Sequence, residues 1–94
     1  FVVIAYDGKD EAALERRMAV REAHLNGAAK MFEEGKLLFA SALLDDKGNM
    51  NGSIMFVDFS SEEAVNEEWL KDEPYMKGKV WEKVIVKRAK IAKH

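Results

Sequence analysis

The hydrophobic period of this chain changes repeatedly along its length, and the order of those changes constrains the fold more than any single motif. Phe1 to Tyr6 (FVVIAY) is an unbroken apolar, β-branched run ended by Asp7-Gly8, the pattern of a strand buried in the middle of a sheet. From Asp10 to Glu34 the period becomes helical. Leu14, Met18, Leu25, Ala29 and Phe32 form the predicted inward stripe, with Glu15, Arg16, Glu22, Lys30 and Glu33 outside. Asp10-Glu11 suits the start of this helix and Gly35 its stop. Lys36 to Leu44 predicts a second strand, Asp45 to Gly52 a polar hairpin loop, and Ser53 to Phe59 a third strand. Ser60, with Glu63 three residues on, predicts a capped short helix through Leu70, in which Val65 and Trp69 form a buried pair. Pro74 suits the first turn of a further helical segment that Gly78 closes, and Val80 to Val86 predicts the last strand before a basic tail, Lys87 to His94.

That order is βαββαβ, the ferredoxin-like α+β arrangement: a four-stranded antiparallel sheet with two main helices on one face. Ninety-four residues are enough for a single domain, here 1–94, with one modest core. In the third strand Ile54 and Phe56 face one way, and Met55, Val57 and Phe59 the other. Helices cover one face only, so the second apolar face calls for a partner subunit or a ligand. A homodimer packed face to face, or closed into a barrel, is the economical arrangement.

Composition narrows the function. The chain carries 15 basic and 17 acidic residues, net −2, and has a pI near 5.7. A generic nucleic-acid binder is usually basic, so nucleic acid is not an expected partner. The charge is uneven: from Lys79 onward six basic residues face Glu82 alone. That fits the solvated edge of a last strand as well as an anion-binding end. Phe56-Val57-Asp58-Phe59 matches the tail of an RNA-recognition signature, but Gly52 to Met55 lacks its leading basic residue and first aromatic, and strand one offers Val2, Val3 and Ile4 where stacking rings belong. Without cysteine there is no disulfide framework, thiolate nucleophile or Cys-based metal site. No apolar run approaches membrane-spanning length, so the expectation is a soluble, cytoplasmic protein with no membrane partner.

Chemistry-bearing residues are few. Arg17, Arg21, His24 and Ala28 follow at helical spacing and line one flank of the long helix. Histidine there can act as a general acid or base, or be a half-exposed side chain. Arg21, one turn away, can hold an anionic group bidentately or form a surface ion pair. Asp72-Glu73-Pro74-Tyr75 is the second candidate; Asp72 is accounted for by capping, while Glu73 is less easily assigned to it. Tyr75 can pack on Trp81 or present its hydroxyl to a pocket. No two histidines stand at metal-ligand spacing, and haem ligation would rest on His24 alone. No dinucleotide, ATP or serine-hydrolase motif occurs. Neither a metal nor a cofactor is expected.

Taken together, the apolar first strand, Arg21-Glu22-Ala23-His24-Leu25, Glu34-Gly35-Lys36-Leu37-Leu38, Gly52-Ser53-Ile54-Met55-Phe56, Ser61-Glu62-Glu63-Ala64, Glu73-Pro74-Tyr75 and Gly78 resemble the YCII-related (YciI-like) family over nearly the full chain. The resemblance implies a ferredoxin-like fold, homodimers of the dimeric α+β barrel type, and a histidine in the first helix facing an aspartate in an Asp-Pro segment. It also implies relatives that include dehydrochlorinases of chlorinated hydroxyquinones and, in the wider barrel group, lactone isomerases. His24 matches the family histidine. Glu73 stands where Asp is usual, with Asp72 one position earlier; Ser41-Ala42 replaces a Gly-Pro, and Lys87-Arg88 replaces an aromatic Pro segment.

Two functions follow. One is a metal-independent lyase or isomerase in which His24 moves a proton and Glu73 or Asp72 orients it. Arg21 would then offset anionic charge, with Ser41 and Tyr75 at the substrate. The alternative is a non-catalytic dimeric ligand-binding or interaction module.

Overall fold

The computed structural model describes residues 1–92; Lys93 and His94, the end of the predicted tail, lie outside the described residues. The elements run β1 (Val2–Asp7), α1 (Ala13–Glu33), β2 (Leu37–Leu44), β3 (Met50–Val57), α2 (Glu62–Glu68), a 3₁₀ turn (Leu70–Asp72), α3 (Pro74–Lys77) and β4 (Trp81–Lys87). The strands form one sheet in the order β2-β3-β1-β4, every pair antiparallel. This is the ferredoxin-like arrangement, with β1 inside the sheet as its unbroken apolar run requires. Among the described residues no helix is long and apolar enough to cross a membrane.

One sheet face carries Val3, Ala5, Leu37, Met55 and Val57, all buried against Ala28 and Met31 of α1, Val65 of α2 and Tyr75 of α3. The other carries Val2, Ile4, Ile54, Phe56 and Phe39, which are half-buried or exposed. Phe39 crosses Phe56 edge to face, with ring centroids 6.4 Å apart.

The long helix departs from expectation. Leu14, Met18, Leu25 and Phe32, the predicted inward stripe, are exposed, Met18 by 53%. The buried residues of α1 are Ala13, Arg17, His24, Ala28 and Met31. That set is the predicted stripe, Ala29 included, moved back by one residue at every position, a rotation of about 100° about the helix axis. Periodicity identifies residues that share a face but not the face that meets the sheet. Here the rotation buries an arginine and a histidine, both of which find polar partners in distant strands and loops.

Smaller shifts have local causes. β3 begins at Met50, three residues earlier than expected, because Gly52 is a strand residue rather than a turn residue. A Cβ at Gly52 would stand 2.6 Å from the Ala5 carbonyl oxygen, so the close approach of β1 demands glycine. The hairpin loop is correspondingly short; Asp45 Oδ1 accepts from the Lys47 and Asn49 amides at 2.9 Å each. The N-cap of α2 is Ser61, not Ser60: its Oγ accepts from the Ala64 amide at 3.0 Å. Helical geometry breaks at Trp69 (φ −137°), so the expected helix to Leu70 becomes α2 followed by the 3₁₀ turn. Pro74 opens α3 and Gly78 closes it, as the sequence indicates.

Candidate functional site

The inward flank of α1 meets the start of α3 over the helix-covered face of the sheet. Glu73 is the N-cap of α3, and its Oε1 accepts from the Tyr75 amide at 3.1 Å. The same oxygen lies 2.6 Å from His24 Nδ1. Both side chains are buried, Glu73 to 4% exposure. A carboxylate only accepts, so Nδ1 carries the shared proton and Nε2 is left to take or give one. Nε2 has no hydrogen-bond partner among the described residues. The imidazole is fixed by packing as well. Tyr75 stacks on it with centroids 3.9 Å apart and planes 12° apart, and Trp81 meets it edge on at 6.1 Å.

A second polar group lies beside this one. Arg17, 3% exposed, reaches both carboxylate oxygens of Asp7 from Nη1 at 2.9 and 3.0 Å, and donates from Nη2 to Ser53 Oγ at 3.0 Å. Trp81 Nε1 donates to the same Ser53 Oγ at 3.3 Å. Between Tyr6 and Asp7 the β1–β4 register slips, setting Asp7 opposite Trp81. The Arg17 guanidinium carbon stands 4.6 Å from the Tyr75 ring centroid, a cation–π contact. Burial pushes the Asp7 carboxyl above the usual carboxylate range, with the charge of Arg17 and its hydrogen bonds opposing. Burial likewise pushes the Tyr75 hydroxyl up, so it stays a protonated donor.

Both groups border a cavity of about 140 Å³ between α1 and β2. Its polar wall is Arg17, Arg21, His24, Ser53 and Tyr75; its apolar wall includes Leu25, Ala40, Ala42, Met50 and Met55. The room exists because β2 presents alanines there. Ala40 and Ala42 pair with Met55 and Ser53, so they share the helix-covered face, yet α1 leaves them exposed. Among the described residues no group of three or more His, Cys, Asp or Glu is placed to hold a metal ion.

A family model of the YCII-related domain matches residues 1–90. The chain belongs to the YCII-related family. Proteins named YciI from Escherichia coli O6:H1 and Shigella flexneri are each 36% identical over 93 residues, covering 93% of this chain and 92% of theirs. An uncharacterized Haemophilus influenzae protein is 32% identical with the same coverage. Among solved structures, the 5-chloro-2-hydroxyhydroquinone dehydrochlorinase of Burkholderia phenoliruptrix AC1100, in complex with 2,5-dihydroxybenzoquinone, superposes with a TM-score of 0.77. It covers 98% of this chain and 96% of its own at 21% identity, a likeness of fold.

Within this YCII-related domain, the sequence-predicted residues are distributed unevenly. His24 and Glu73 are in direct contact, and Arg21 and Tyr75 border the same cavity. Asp72 stands apart: it is exposed, with its carboxylate 3.6 Å from Lys77 Nζ. Ser41 borders the cavity, but its pairing with Ile54 assigns its side chain to the open sheet face, away from His24. Sequence reasoning missed Asp7, Ser53 and Trp81 as polar partners, and took Arg17 only as a member of a flank. A serine inside an otherwise apolar strand, and an acid ending an apolar run, were the available signals.

Proposed function

We propose that this protein is a metal-independent acid–base enzyme, a lyase or isomerase, that moves a proton on a small molecule held in the cavity beside His24. The carrying observation is the 2.6 Å contact between His24 Nδ1 and Glu73 Oε1 in a buried site. It orients the ring and leaves Nε2 to exchange a proton with a substrate, the positioning role a buried carboxylate plays toward a catalytic histidine. Burial excludes water and strengthens the pair. The dehydrochlorinase relative supports the reaction class, because loss of HCl from a hydroxylated ring needs a base and a returning acid.

The working form in this reading is a homodimer. Its support is the open sheet face, where Val2, Ile4, Ile54, Phe56 and Phe39 make an apolar surface unlike the outside of a monomer.

The test is hydrogen exchange and elimination on a panel of small enolisable and chlorinated hydroxylated-ring compounds, with His24→Asn beside the wild type. Turnover should fall by about 10²–10⁴, the usual contribution of a positioned acid–base group, in a variant that still folds. Wild-type rates in the variant would remove His24 from the chemistry and favour a non-catalytic binding module.

A further inference from the structure

The cavity groups are not all matched. Arg17 is neutralised by Asp7 at 2.9 Å. Glu73 is engaged by His24 and the Tyr75 amide. Three donors remain unpaired among the described residues: Arg17 Nε, which is buried, Arg21, half-buried and with neither an ion-pair nor a hydrogen-bond partner, and the hydroxyl of Tyr75. Unpaired donors on one cavity wall suit an occupant that accepts hydrogen bonds. The rest of the lining includes Leu25, Ala40, Ala42 and Met55 and is largely apolar.

We propose that the cavity takes a small monocarboxylate with a flat apolar body the size of one six-membered ring. The carboxylate would be held by Arg21 and the Tyr75 hydroxyl, and the body would lie against Ala40 and Ala42. Charge sets the first part: Arg21 is the cavity's unmatched cation, and a guanidinium binds a carboxylate bidentately. Volume sets the second. About 140 Å³ is close to the engineered cavities of about 150 Å³ known to admit benzene. The assignment rests on the cavity being the working site, and it puts the ring within reach of His24.

Benzoate and its uncharged isostere benzamide are the probes, titrated into the full-length protein and followed by amide chemical shifts. Benzoate should bind with shifts confined to α1, β2 and α3, and benzamide at least tenfold more weakly. Arg21→Met should weaken benzoate at least tenfold, in line with a charge-assisted hydrogen bond, while Arg16→Met, whose charge is held by Asp10 away from the cavity, should not. Ala40→Leu, at an exposed β2 position, should abolish binding by filling the cavity while leaving the melting temperature near wild type. Equal binding of benzamide, no binding of benzoate at millimolar concentration, or full binding by Arg21→Met or Ala40→Leu would overturn the proposal. Proton transfer is read separately. Benzoate binding through Arg21 in a protein whose turnover ignores His24→Asn would sink the acid–base reading and leave this one standing. Catalysis dependent on His24 without benzoate binding would sink this one alone.

Discussion

Arg17 Nη1 lies 2.9 and 3.0 Å from the two carboxylate oxygens of Asp7, joining α1 to the end of β1 by an ion pair sealed from solvent. Its energetic character is asymmetric. Both charges have lost their hydration, so removing one partner strands the other. Arg17→Met, which strands the Asp7 carboxylate, should destabilise the protein by about 3–5 kcal/mol in denaturant unfolding. The double change Asp7→Asn with Arg17→Met should cost clearly less than the sum of the single changes. Additive losses would show that the pair does not act as a unit.

Two aspartates should shape the acid limb of the stability curve in opposite directions. Burial raises the folded-state value of Asp7 above the ordinary 3.8, so the folded protein holds that proton to higher pH than the unfolded chain. Stability therefore falls as pH rises from 3.8 through the folded value, and Asp7→Asn should remove that fall. The Arg16 guanidinium, bonded at 2.6 and 2.9 Å, lowers Asp10 to about 2. Its stabilisation is present above 3.8 and is lost as pH falls through about 2, a loss Asp10→Asn should abolish. Unfolding free energies measured from pH 2 to 7 on both variants would show the two opposite changes.

Glu73, rather than Asp72, should carry the acidic part of any catalysis. Glu73→Gln keeps an oxygen for the Tyr75 amide but removes the charge facing the imidazole, and should lower turnover about a hundredfold or more. Asp72→Asn, at an exposed side chain near Lys77, should leave turnover within about twofold. Reversal of that ranking in steady-state kinetics would move the dyad to Asp72.

Gly52 should tolerate no side chain. A Cβ there meets the Ala5 carbonyl oxygen at 2.6 Å and Leu43 Cδ1 at 2.9 Å. Because the oxygen belongs to backbone in a central strand, relief requires moving β1 or β3. Gly52→Ala should cost about 1–3 kcal/mol, the scale of overpacking. An unchanged melting temperature would show that the strands separate more easily than their packing implies.

The open sheet face gives a prediction about assembly. Phe39 is 59% exposed and crosses Phe56 on that face. In the proposed homodimer, Phe39→Glu should leave a folded monomer by light scattering, since a charge buried in an apolar interface has no partner. Two results would count against this face as the interface: a monomeric wild type, or a variant that dimerises unchanged.

The sequence by itself determined the order of elements and the place of β1, because strand and helix periods are local and a run such as FVVIAY leaves no polar face to expose. It also determined that Pro74 opens and Gly78 closes a short helix, since both act through their own backbone. His24 and Glu73 were legible as candidates, but the choice of acid was not: Asp72 and Glu73 are adjacent, and the 3₁₀ turn before α3 sends one outward and the other under Tyr75. Only the tertiary structure decided the rotation of α1. The stripe of Leu14, Met18, Leu25 and Phe32 is the more apolar one, yet the stripe of Arg17 and His24 is buried. Arg17 and His24 find their partners 10, 36 and 49 residues away, in Asp7, Ser53 and Glu73. A local period carries no information about such partners, and it is their hydrogen bonds that make burying a charged flank affordable.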